Sequence, residues 1–228
     1  MKRMLCFVKE DVEVKERTDL MSPHISSIWL EHKPSNGKKI LVCLTYREFN
    51  PCTGDEEIDK TNVNEQLARF EVFSQQVENA VQECESIYIM GDMNVDINKW
   101  NDKDYYLKKI SEEYQTLLGK NGLELVDFGI TWRRLQENGV IKQSALDHLL
   151  TNNINSIINA KKLDITFSDH SVILTDIATS KQQVRKQKMI SRDMRKLRSN
   201  PGKFPQELSQ IDWSKIKEKV DVDDMVDF

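Results

Sequence analysis

The chain has no apolar run approaching the ~18 residues that a membrane-spanning helix needs. Met1–Glu10 holds one short apolar patch and no small-residue cleavage site, so it is a poor secretion signal and reads instead as a strand that begins abruptly. Cysteine is scarce. Cys6, Cys43, Cys52 and Cys84 form no C-x-x-C pair and have no closely spaced histidines, which removes a zinc site of the usual spacing. Cys6, Cys43 and Cys84 sit in or beside apolar runs, as buried reduced thiols of an intracellular protein do. No internal repeat is visible. Positive charge is not in excess either: the net charge is −4, which argues against gripping DNA by charge alone.

What is present is uneven. Between Lys181 and Lys203 nine Lys or Arg face the single acid Asp193. That stretch is +8, so with −4 in total the remainder must carry −12. A basic run of this kind contacts phosphates or serves as a solvated linker, and the sequence leaves both open. At 39% hydrophobic and 31% charged, the 228 residues suit about one globular domain and a tail. The domain is expected over 1–179, and 180–228 is expected as a basic linker with short helical pieces around Phe204–Leu208 and Trp213–Val220.

Short β-branched or aromatic stretches predict strands at Met4–Val8, Ile25–Glu31 and Lys39–Tyr46. Ile40, Val42 and Leu44 alternate with period two, and Ser35-Asn36-Gly37 supplies a turn between the last two strands. Asn50–Asp59 is a polar loop. From Lys60 to Cys84, Val63, Leu67, Phe70, Phe73, Val77 and Val81 recur at three- and four-residue steps, predicting a helix with one buried face. Ser86–Met90 is a strand ended by Gly91. A second helix is expected over Asp104–Leu118, closed by Lys120-Asn121-Gly122. Strands follow at Leu123–Phe128, Ser144–Leu150 and Val172–Ile177. Helices set between strands indicate a layered α/β domain.

Three segments carry possible chemistry. Tyr88-Ile89-Met90-Gly91-Asp92-Met93-Asn94 delivers a carboxylate and an amide beyond the end of an apolar strand, where sheet enzymes place ligand groups. Asp147 is an acid inside the apolar Ser144–Leu150 strand. Ser168-Asp169-His170-Ser171 precedes the strand at Val172. Singly, each has a bland reading: a turn pair, a hydrogen-bonded core acid, a strand cap.

Together and in this order they are similar to the endonuclease/exonuclease/phosphatase superfamily: Gly-Asp-x-Asn, then Asp in a strand, then Ser-Asp-His before the last strand. Val42–Pro51 resembles that family's strand ending in a Tyr-Arg-x-Pro-type segment, and Thr131-Trp132 matches its Thr-aromatic step. Gly91–Trp100, Leu123–Asp127 and Ala145-Leu146-Asp147-His148 look most like the endonuclease of jockey-type non-LTR (LINE) retrotransposons. Arg192–Arg195 through Phe204, Trp213 and Asp221–Phe228 resembles the segment leading toward a reverse transcriptase.

The resemblance implies a four-layer α/β/β/α sandwich (DNase I-like), incomplete at the N-terminus, with a helical C-terminal tail. It implies a Mg²⁺-dependent DNA endonuclease, with Mn²⁺ as a substitute, intracellular and working in the nucleus, with the cytoplasm as the alternative, on DNA and not at a membrane, with a reverse transcriptase domain absent from this chain as a candidate partner. His170 would contact the phosphate or act as acid or base, with Asp147 fixing its tautomer. Asp92 would orient or deprotonate water, Asn94 and Tyr46 would bind the phosphate, and Asp169 would help hold Mg²⁺. Arg47 is structural or functional, Glu48 and Asp96 are surface acids, and His148 is a strand residue. The family's first two strands, ending in an Asn and in a metal-binding Glu, have no match, and Glu10, Glu13 and Glu16 are not promoted to that role. Leu5, Phe7 and Trp29 are therefore expected to be partly uncovered and activity impaired. A phosphatase-type or sphingomyelinase-like member and a non-catalytic interaction remnant are the alternatives.

Overall fold

The computed structural model describes residues 4–34, 37–50, 53–101 and 107–179. Their strands are β1 (Val14–Glu16), β2 (Ser26–His32), β3 (Ile40–Tyr46), β4 (Ile87–Asp92), β5 (Glu124–Val126), β6 (Trp132–Leu135), β7 (Ile141–Ser144), β8 (Asp147–Thr151), β9 (Ile157–Leu163) and β10 (Val172–Ile177). The helices are α1 (Glu56–Glu83) and α2 (Lys108–Asn121). The expected tail helices and the tip of the β2–β3 turn, Ser35-Asn36, lie outside the described residues.

Period-two alternation decides which residues meet. In β3, Leu41 and Cys43 point to one face of the sheet and Ile40 and Val42 to the other, because successive side chains of a strand alternate. β3 pairs antiparallel with β2 and parallel with β4, and β4 pairs antiparallel with β8, giving one sheet in the order β1-β2-β3-β4-β8-β5. α1 and α2 cover one face: Phe70, Phe73, Val77, Ile110, Tyr114 and Leu117 pack on Trp29, Leu41, Cys43, Ile87, Ile89 and Leu150. The opposite face carries a smaller core of Ile40, Tyr88 and Leu149, against which Ile157 of β9 and Ile177 of β10 pack. Among the described residues, helices, sheet and the β9–β10 hairpin are thus three stacked layers of an α/β sandwich.

Several boundaries differ from expectation. α1 begins at Glu56 rather than Lys60, because Asp55 caps it by accepting the N–H groups of Glu57 and Ile58. Glu56, Glu57 and Asp59 complement the helix dipole in that first turn, so capping extends the helix beyond its apolar period. α2 ends as expected on Gly122, whose left-handed φ of 59° no β-branched residue would take readily. Met4–Val8 is not a strand: it pairs with nothing among the described residues, and Leu5 and Phe7 are 83% and 90% exposed. Trp29 is fully buried under α1, donating its indole N–H to Gln76, and not partly uncovered. β4 runs through Gly91 to Asp92 instead of stopping at Met90. β1, β6, β7 and β9 were not foreseen; β6 reads Trp-Arg-Arg-Leu and shows no apolar alternation.

Candidate active site

The same alternation gathers the polar residues. Tyr88 and Met90 lie on the hairpin side of β4, so Asp92 does too; Leu149 does in β8, so Asp147 does; Val42 does in β3, so Tyr46 does. The ladders place Tyr46 beside Asp92 and Asp92 opposite Asp147. Three site residues from three strands therefore stand in a row at one end of one face. His170, in the turn before β10, arrives over that row. Its Nδ1 donates to Asp147 Oδ2 at 2.9 Å, and its Nε2 lies 3.9 Å from Asp92 Oδ2.

A carboxylate only accepts, so the bond to Asp147 places a proton on Nδ1 and leaves Nε2 directed at Asp92. The same bond raises the His170 pKa, and burial opposes it. Burial pushes Asp92 up to about 6, assisted by the Asp147 charge and opposed by the backbone N–H of Asn94. The two neighbouring carboxylates thus stand in different surroundings, Asp147 bonded to the imidazole and Asp92 with its pKa raised by burial.

Asn94 takes a left-handed φ of 48°. Its backbone N–H donates to Asp92 Oδ1 at 2.9 Å, and its side-chain amide donates to Arg47 O at 2.7 Å and Asp92 Oδ2 at 3.2 Å. Arg47 returns the grip: Nε donates to Met93 O, one terminal nitrogen to Asn94 O at 2.7 Å and the other to Gln66 Oε1 at 2.8 Å. Its role is to hold the turn that carries Asp92 and Asn94. Nothing in the local sequence announces this, because its partners are 19 to 47 residues away.

The 168–171 turn is held by β6. Ser171 N–H donates to Thr131 O at 2.7 Å and Arg133 N–H to Asp169 O at 2.8 Å. The Thr131 side chain is buried, and its hydroxyl accepts the N–H groups of Leu146 and Asp147 at 3.1 and 3.0 Å. One threonine therefore fixes both the start of β8 and the turn bearing His170. The Thr131-Trp132 step was the only sequence trace of it. Asp96, expected at the surface, is 3% exposed. Its Oδ1 accepts Ala145 N–H and Asn98 N–H, each at 3.2 Å, which ties the loop after β4 to the start of β8. Glu48 pairs with Arg69 at 2.8 Å.

Asp169 is exposed, and its Oδ2 already accepts the Trp132 indole N–H at 3.0 Å. Among the described residues no three His, Cys, Asp or Glu side chains are gathered as a metal-binding group. Mg²⁺ is shared among several oxygens, so this donor set does not form a protein cage for it.

No protein-family model matches the sequence, and no curated protein matches it. Solved structures do match. The endonuclease domain of TRAS1, a telomere-specific non-LTR retrotransposon, superposes with a TM-score of 0.50 at 18% identity, over 74% of this chain and 70% of that one. The catalytic domain of Xenopus laevis APE2 superposes with a TM-score of 0.51 at 13% identity, over 67% of this chain and 55% of that one.

Proposed function

We propose, from a chain that has the DNase I-like fold of the endonuclease/exonuclease/phosphatase superfamily, that it hydrolyses phosphodiester bonds of DNA as the endonuclease of a non-LTR retrotransposon. The observation that carries the reading is the Asp147–His170–Asp92 arrangement, an oriented imidazole beside a carboxyl group of raised pKa. Sequence motifs in the family's order support the retrotransposon assignment, as does the resemblance of Arg192–Arg195, Phe204, Trp213 and Asp221–Phe228 to a segment that leads toward a reverse transcriptase; work on DNA would place the protein in the nucleus. No helix among the described residues is long and apolar enough to cross a membrane.

Hydrolysis needs an oriented water, a sink for its proton and neutralisation of charge on phosphorus. Nε2 of His170 and Oδ2 of Asp92 are 3.9 Å apart, so both act on the same side of the phosphorus atom. In an in-line displacement they cannot serve attack and departure separately. Asp92 therefore takes the proton of the attacking water while the bond from phosphorus to the leaving oxygen breaks and the departing alkoxide takes a proton from solvent; His170, charged through Asp147, donates from Nε2 to a non-bridging phosphate oxygen. Tyr46, one strand away from Asp92, adds its hydroxyl to the phosphate. Asn94, with its amide nitrogen donating to Arg47 O and Asp92 Oδ2, offers its side-chain oxygen as an acceptor for the attacking water and keeps the turn in place. If Mg²⁺ or Mn²⁺ binds, Asp169 would help to hold it, and the ion would supply neutralisation of the charge on the phosphate.

The purified chain should nick supercoiled plasmid in Mg²⁺, with the nicked circle quantified on a gel. His170→Ala should lower the rate on the order of 10²–10³-fold, and EDTA should abolish it. A folded chain that leaves plasmid intact would move the protein to a second reading, a non-catalytic nucleic-acid-binding remnant. That no three His, Cys, Asp or Glu side chains are gathered as a metal-binding group among the described residues favours that reading.

A further inference from the structure

Asp147 and His148 are consecutive, so β8 turns one to each face of the sheet. Asp147 meets His170 on the hairpin side, whereas His148 points into the helix layer at 1% exposure. An apolar side chain is the ordinary occupant of such a position, and a buried polar one costs free energy unless every group is bonded. Here both ring nitrogens are bonded: Nδ1 lies 2.7 Å from the Tyr114 hydroxyl of α2 and Nε2 lies 3.1 Å from Ala145 O.

These partners allow one assignment. A backbone carbonyl only accepts, so Nε2 carries the proton; burial keeps the ring neutral, so Nδ1 is bare and accepts from Tyr114. Tyr114 is fully buried and pinned in turn by an edge-on contact with Phe70 of α1, ring centres 6.1 Å apart. Ala145 is a junction. Its N–H donates to Asp96, its carbonyl takes the Nε2 proton, and the Leu146 carbonyl beside it takes Met93 N–H at 2.9 Å. The stretch that aims Asp147 is thereby tied to the turn that aims Asp92.

We propose that His148, with Tyr114, is a positioning residue for the carboxylate pair: it holds the Ala145 carbonyl from behind the sheet and so sets Asp147 against His170. The proposal rests on Asp147 and His170 as the working pair and adds what keeps them in place. The cost of burying an imidazole and a phenol is offset by a register that an apolar pair could not specify.

The test compares the full chain with Tyr114→Phe, His148→Leu and His148→Gln, the last able to offer one donor and one acceptor. Plasmid nicking is resolved into kcat and KM, folding is followed by thermal melting, and the downfield Nδ1 proton of His170 is read by NMR without substrate. Expected is a kcat about tenfold lower in Tyr114→Phe and His148→Leu with KM within about twofold, since small misplacements of reacting groups act on rate. The His170 proton shifts upfield in both, and His148→Gln recovers most of each loss. A folded His148→Leu, or a folded Tyr114→Phe should that variant not fold, with wild-type kcat and an unmoved His170 proton overturns the proposal. The NMR arm decides it even if the wild-type chain never nicks DNA, which would refute the endonuclease reading alone.

Discussion

Asp92 sits where burial and a like-charged neighbour resist ionisation, and this gives its titration two consequences of known sign. Its folded pKa of about 6 exceeds the ordinary 3.8, so the stabilising contribution is present below pH 3.8 and is lost as pH rises through about 6. Above that pH the wild type carries a buried carboxylate that Asp92→Asn does not, a difference on the order of 3 kcal/mol. The melting temperature of Asp92→Asn should therefore gain on wild type between pH 4 and pH 7; parallel curves would contradict the burial. Nicking should rise with pH through the same interval as Asp92 becomes able to accept a proton, and the variant should lose that limb of the pH–rate profile. Arg47 is the other residue whose neighbours define its part. Lysine keeps the charge but cannot reach Met93, Asn94 and Gln66 together, so Arg47→Lys should lower kcat about tenfold and rescue little over Arg47→Met. Full activity in Arg47→Lys would show that charge, not the forked grip, is what matters.

Among the elements, β3 and β4 depend on one glycine. Gly91 has φ 151°, and a Cβ there would lie 1.7 Å from Thr45 O, a backbone atom of the paired strand that cannot move aside. Gly91→Ala should cost roughly 3 kcal/mol or more, seen as a lower thermal midpoint or insoluble expression, and a variant that melts like wild type would refute the close packing. β6 matters for what it holds and not for what it buries. Its backbone secures the 168–171 turn, while Thr131 just before it holds the start of β8. Thr131→Val keeps the volume and removes the hydroxyl, leaving the Leu146 and Asp147 N–H groups without that acceptor. Both the melting temperature and the nicking rate should fall, the rate by about tenfold.

Across the whole described body, the two faces of the sheet are unequally covered. The helix side holds an extensive core from Leu20 to Leu150, whereas the hairpin side rests on Ile40, Tyr88 and Leu149. On the outer face of that hairpin Leu163, Val172 and Leu174 remain exposed. Regions with few buried apolar contacts open first, so amide exchange should be faster in β9 and β10 than in β3, β4 and β8. His170 leads into β10, so such opening would carry it away from Asp147. Equal protection on both sides, measured by hydrogen exchange and mass spectrometry, would show that the hairpin layer is as firmly held as the helix layer.

Local regularities in the sequence determine much of this protein. A period-two run marks β3, short apolar stretches mark β2 and β10, a three-to-four repeat marks α1, Gly122 ends α2, and Asp92, Asp147 and His170 stand at or beside strand ends. Those features are legible because each depends on neighbours a few positions away. Met4–Val8 has the composition of a strand but no strand beside it among the described residues, and β6 has the pairing without the composition. Partner choice across long sequence separations belongs to the tertiary structure alone. Arg47 closing on the turn after β4, Thr131 joining two segments, Asp96 drawn inside and His148 reaching Tyr114 all follow from which elements stack. A hydrogen bond is satisfied by whatever group packing brings within about 3 Å, and packing is a property of the whole fold.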